Sequence, residues 1–119
     1  MNITIRAALA AAFLSCACAT SAFATGAIAV NDEQGMAADE AGYGVGYGSS
    51  KKEAQQNAIK ECKSAGNDNC KVALTFEQCG AYAGDKVNYS TGIGSSEKAA
   101  QKAALDECPN CKLVVSDCQ

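Results

Sequence analysis

Histidine and tryptophan are missing from this chain altogether, proline occurs once, and phenylalanine three times among 119 residues. Without histidine, Ser-His-Asp and Cys-His nucleophilic catalysis are excluded, because no imidazole can take the proton from the nucleophile. Imidazole-based zinc sites go with them, so that any zinc would have to be held by cysteines alone. The one proline, Pro109, interrupts none of the strand-like segments and so costs no ladder hydrogen bond. No apolar run reaches the roughly 20 residues that a membrane-spanning helix needs. Basic residues are also scarce: beyond residue 24 there are 9 Lys against 13 Asp and Glu, a net charge of −4. Nucleic acid is therefore not an expected partner, since binding phosphate backbones takes a concentrated basic face. A cationic partner suits the charge better, although the same charge also serves solubility.

Residues 1–24 read as a signal peptide. Arg6 precedes an apolar run from Ala7 to Leu14, and Ala22-Phe23-Ala24 forms a small-x-small cleavage site. Lipidation would need cleavage before Cys16 or Cys18, and Phe13-Leu14-Ser15-Cys16 lacks the usual leucine three residues ahead. With 24 of the 119 residues removed, 95 remain, expected as a single exported domain, 25–119, in the periplasm or the medium. A domain of that size buries too little surface to be secure on area alone. Two of the 8 cysteines, Cys16 and Cys18, leave with the signal. The others form an even set in an oxidising compartment, which points to three disulfides.

What the chain does contain is an internal repeat. Gly46 to Cys62 (GYGSSKKEAQQNAIKEC) and Gly92 to Cys108 (GIGSSEKAAQKAALDEC) agree at 10 of 17 positions without a gap, the mark of a duplicated supersecondary unit. The repeats span 26–78 and 79–119. Each reads as strand, strand, helix, strand: Gly26–Val30, Gly42–Gly48, a helix capped by Ser50 and Glu53, and Lys71–Phe76 in the first; Gly80–Ala83, Tyr89–Gly94, a helix capped by Ser95 or Ser96, and Lys112–Val115 in the second. The expected fold is α+β, two tandem ββαβ repeats packed with pseudo-two-fold symmetry and stabilised by disulfides. Tyr43, Val45 and Tyr47 point to one side of their strand, while Gly42, Gly44, Gly46 and Gly48 leave the other side bare. That bare face should receive the following helix through its Ala54, Ala58, Cys62 stripe, repeated as Ala100, Ala104, Cys108. Six cysteines allow 15 pairings, and the repeat narrows them to Cys62–Cys70, Cys108–Cys111 and Cys79–Cys118. The last of these is expected to tie the halves together.

Cys108-Pro-Asn-Cys111 has the spacing of a thiol oxidoreductase. Reactive cysteines of that class sit at a helix N-terminus, where the dipole lowers the thiol pKa, and Cys108 falls at a helix C-terminus instead. A four-cysteine zinc site of Cys62, Cys70, Cys108 and Cys111 is the one metal arrangement left, and oxidation competes with it. The inserted segment Asn31–Ala41 of the first repeat carries Asp32, Glu33, Asp39 and Glu40. It lacks the ligand spacing of a calcium-binding hand, so it reads as a solvated loop or a docking loop for a cationic partner. The glycine ladder is no phosphate cradle, since no Lys and Ser/Thr pair follows in register. Tyr43, Tyr47, Tyr82 and Tyr89 could form a carbohydrate or peptide platform, but in a chain without tryptophan and with few phenylalanines they are expected in the core.

The run AIAV, the GYG before a Ser-capped Ala-rich helix ending in EC, then CKVALTF and CGAYA, together resemble the exported bacterial family known as domain of unknown function 4189. The resemblance extends from Gly26 to Cys118. It implies a tandem strand-strand-helix-strand module of secreted or periplasmic proteins and carries over no catalytic residue and no cofactor. The short Cys108-x-x-Cys111 link and the lack of tryptophan depart from the family pattern. The expected function is that of an exported, non-enzymatic interaction module, an inhibitor or immunity-type binder of a basic envelope-targeting protein being the specific version. The alternative is thiol-disulfide exchange through Cys108 and Cys111.

Overall fold

The computed structural model describes residues 24–119; residues 1–23, on which the signal-peptide reading and Cys16 and Cys18 fall, lie outside the described part. The elements run β1 (Thr25–Asn31), a 3-10 turn (Ala38–Glu40), β2 (Gly42–Gly48), α1 (Lys51–Ser64), β3 (Lys71–Phe76), β4 (Cys79–Gly84), β5 (Tyr89–Gly94), α2 (Glu97–Glu107) and β6 (Lys112–Cys118). They form two three-stranded sheets, ordered β2-β1-β3 and β5-β4-β6, antiparallel throughout. Strand β6 runs past the expected Val115, because Ser116, Asp117 and Cys118 go on pairing with Ala81, Gly80 and Cys79. Pairing is made by backbone groups, and a polar tail at a sheet edge is free to continue it.

Alternation along the two central strands builds four layers, helix, sheet, sheet, helix. Ala27 and Ala29 of β1 pack with Ala54, Ala58 and Cys62 of α1. Ala81 and Ala83 of β4 do the same with Ala100 and Ala104 of α2. The opposite faces, Ile28 and Val30 of β1 and Tyr82 of β4, meet with Phe76 in a third cluster between the sheets. Both central strands are thus covered on both sides, which is why β4 is buried along its whole length.

Small residues set the helix-to-sheet distance. A β-carbon added to Gly44 would fall on the Cys62 backbone nitrogen, one on Gly46 on that of Ala58, and one on Gly92 on the backbone of Ala100 and Ala104. The helices therefore lie directly against strand backbone. In the second half Ser90 stands in the place of Gly44, and its hydroxyl donates to the Ala104 carbonyl at 2.6 Å. Helix α2, with 11 residues, is shorter than α1, with 14. Ser50 accepts from the Glu53 N–H at 3.2 Å, while the Glu53 carboxylate accepts from the Ser49 N–H at 2.7 Å, one residue upstream of a regular capping box. In α2 the cap is Ser96, accepting from the Ala99 N–H at 3.1 Å.

Disulfides join Cys62 to Cys70, Cys79 to Cys118 and Cys108 to Cys111. Cys79 opens β4 and Cys118 closes β6, directly opposite in the register of one sheet. The expectation that this bridge ties the halves is corrected: it lies wholly within the second sheet, because β6 folds back on β4. Among the described residues the halves are held by the cluster between the sheets and by hydrogen bonds. The Tyr47 hydroxyl donates to the Cys118 carbonyl at 3.0 Å, and the Gly35 N–H donates to the Lys86 carbonyl at 2.8 Å.

Candidate functional site: the cleft between the sheets

After Asn31 the chain leaves β1 and carries Asp32 and Glu33 across to the other sheet. Tyr82, on the face of β4 turned toward β1, is 3% exposed, and its hydroxyl donates to Asp32 Oδ2 at 2.6 Å. Burial first, then this hydrogen bond and the carboxylate's charge, raise the Tyr82 phenol well above its ordinary value. Glu33 Oε1 accepts from Asn69 Nδ2 at 3.0 Å. Gly35, at φ 98°, makes the left-handed turn that points its N–H at Lys86. The inserted loop is thereby pinned to the second half at Tyr82 and Lys86.

Tyr89, at the start of β5, lies nearly parallel to Tyr82, with ring centroids 5.9 Å apart and planes inclined by 15°. It is 68% exposed. Beside it, the Asp85 carboxylate accepts from the N–H groups of Val87 and Asn88 at 2.7 and 2.5 Å. These bonds hold its pKa below the usual carboxylate value and fix the β4–β5 turn. Asp32, Glu33 and Gln34 of the loop and the Tyr82–Tyr89 pair border a cleft of about 670 Å³, closed by Val30, Asn69, Lys71, Val72 and Ala73.

The four loop carboxylates do not form one surface. Asp32 and Glu33 border this cleft. Asp39 faces a smaller one of about 310 Å³ with Gly84, Asp85, Lys112 and Leu113, and Glu40 turns back to accept from the Ala37 N–H at 2.7 Å. Of the tyrosines expected in the core, Tyr82 is there and Tyr47 is half-buried, whereas Tyr43 and Tyr89 are exposed. Strands β2 and β5 lie at sheet edges. Period-two alternation tells which way a side chain points and leaves open whether anything covers it.

Cys108 caps the C-terminus of α2, and both it and Cys111 are buried. The Asp85 carboxylate lies within 4.8 Å of both sulfurs, a negative neighbour that would oppose a thiolate. Cys62 and Cys70 belong to the first half, Cys108 and Cys111 to the second, each pair bonded within itself, so the zinc tetrad has no thiolate to offer. Of the residues around the cleft, Tyr89 is the one sequence reasoning weighed as part of a binding platform and then assigned to the core, whereas it is exposed; Asn69, Lys71 and Asp85 were not picked out. Among these three, Asp85 carried a usable signal, an Asp opening a short hairpin loop after Gly84.

A family model described as domain of unknown function (DUF4189) matches residues 25–118. No curated protein matches the chain. Among solved structures it is similar to Rv1813c from Mycobacterium tuberculosis, determined by NMR, at 25% sequence identity over 98% of this chain and 99% of that one, with a TM-score of 0.60. Among the described residues no helix is long and apolar enough to cross a membrane.

Proposed function

Because this chain belongs to the DUF4189 family, whose domain is of unknown function, we propose from its own geometry that it is an exported, non-enzymatic recognition module of residues 25–119. The observation that carries this reading is the pinning of the acidic loop by the Tyr82–Asp32 and Gly35–Lys86 hydrogen bonds. A loop held this way presents its charges without a large ordering cost on binding. Disulfide bonds are compatible with an oxidising compartment outside the cytoplasm. The net negative charge and the exposed Asp39 and Glu40 suit a cationic protein, an envelope-targeting enzyme to be inhibited or a toxin to be neutralised being the specific form. Thiol exchange through Cys108 and Cys111 is the weaker reading, given their burial and their place at a helix C-terminus.

Pull-down from envelope and culture-medium fractions tests this proposal, comparing the wild type with a variant lacking Gln34 to Glu40 and with Asp39→Lys/Glu40→Lys. The wild type should retain a basic protein that both variants lose. Equal recovery by all three would remove the loop from the interaction. Lysozyme activity unchanged at excess protein would discard the inhibitor form.

A further inference from the structure

The cleft between the sheets has a composition that a protein partner does not explain. Its volume, about 670 Å³, falls within the range of small-molecule sites, roughly 300 to 1,000 Å³. One wall is aromatic: Tyr89 lies against Tyr82 and keeps most of its ring uncovered. The facing wall is β3, where Lys71, Val72 and Ala73 line the opening. The polar groups are mixed in kind. Glu33 accepts, Lys71 donates, and the amides of Gln34 and Asn69 do both. Carboxylates and an ammonium share the same cleft, so neither a bare cation nor a bare anion would satisfy it.

The matching chemistry is a neutral ligand with an apolar C–H face to lie on the Tyr89 ring and a rim of hydroxyls, each both donor and acceptor. We propose that the cleft is a binding site for a neutral saccharide of one or two rings. The sugar's C–H face stacks on Tyr89, and its hydroxyls bond to Lys71, Glu33 and Gln34. The Asp32–Tyr82 and Glu33–Asn69 hydrogen bonds fix both walls before the ligand arrives, which lowers the ordering cost of binding. This reading goes beyond the protein-partner proposal and does not depend on it.

The test is an NMR titration of the isotope-labelled, disulfide-bonded protein with cellobiose, maltose and N,N′-diacetylchitobiose, with N-acetyl-lysine methylamide as the cationic control. At least one disaccharide should shift the amide resonances of Val72, Ala73 and Tyr89 in a saturable manner, and the lysine amide should not. Tyr89→Ala should weaken that binding about tenfold or more, whereas Tyr89→Phe, which keeps the ring, should retain it. Lys71→Met, on the opposite wall, provides a second variant that leaves the tyrosine pair alone and should also weaken binding. The proposal is overturned if no disaccharide moves these resonances, if the lysine amide alone moves them, or if Tyr89→Ala and Lys71→Met both bind as the wild type does. Pull-down of a basic protein by Tyr89→Ala is a separate readout, so either proposal can fail alone.

Discussion

Gly44, Gly46 and Gly92 occupy positions where a single methyl group would collide with helix backbone. Backbone cannot step aside as a side-chain tip can, so Gly46→Ala should cost about 1–3 kcal/mol or more through overpacking, read as a lower urea midpoint with unchanged slope. Gly80 and Gly26 differ, since a β-carbon there would meet only the Phe76 and Leu74 side chains. Two tyrosines make a second prediction at this scale. Tyr82 and Tyr47 both have raised pKa values, chiefly through burial and then through Asp32 and Asp117 respectively. Unfolded tyrosines ionise near pH 10, so above that pH the unfolded chain loses protons that the folded chain keeps, and stability falls as pH rises. Below it the contribution is constant. Urea midpoints should be flat from neutrality to about pH 10 and then decline, and Tyr82→Phe should make the decline shallower. A midpoint that keeps rising through that range would contradict the assignment.

The elements themselves were largely legible. Alternating glycines and an alanine stripe name a strand and a helix, and the repeat places the second pair once the first is read. What stayed hidden is where backbone pairing continues through polar residues, as at Ser116 to Cys118, and where an acid caps out of register, as Glu53 does on Ser49. Both depend on groups that every residue carries. The disulfides span sequence separations of 39, 8 and 3 residues for Cys79–Cys118, Cys62–Cys70 and Cys108–Cys111. Loop-closure entropy then ranks their contributions at about 4, 3 and 2 kcal/mol. Paired Cys→Ser variants, compared by chemical denaturation, should lose stability in that order. A peptide map with any other connectivity would void the ranking.

At the scale of the molecule, the two sheets meet through Ile28, Val30, Phe76 and Tyr82, with no covalent bridge between the halves among the described residues. Phe76 ends β3 and touches both central strands, so Phe76→Ala should cost about 3–5 kcal/mol and loosen the halves while leaving each sheet's disulfides intact. Loss of native-state protection at Ile28 and Tyr82 amides in hydrogen exchange would register it. Sheet-to-sheet packing was foreseen in outline, because three strands and a helix cannot cover both faces alone. The cleft was not foreseen, since it draws on positions as far apart as Asp32, Asn69 and Tyr89, which no local pattern links. The strands also give the molecule a direction. Thr25 pairs with Gly48 at one end of β1, and the Gln119 N–H bonds to the Gln78 carbonyl beside Cys79, near the Phe76 that pairs with Gly26. Asp32, Gly84 and Tyr89 lie at the far end of the same strands. A tether at either Thr25 or Gln119, whether an affinity handle, a fused carrier or a solid support, would leave the opening unobstructed and aimed into the surrounding fluid.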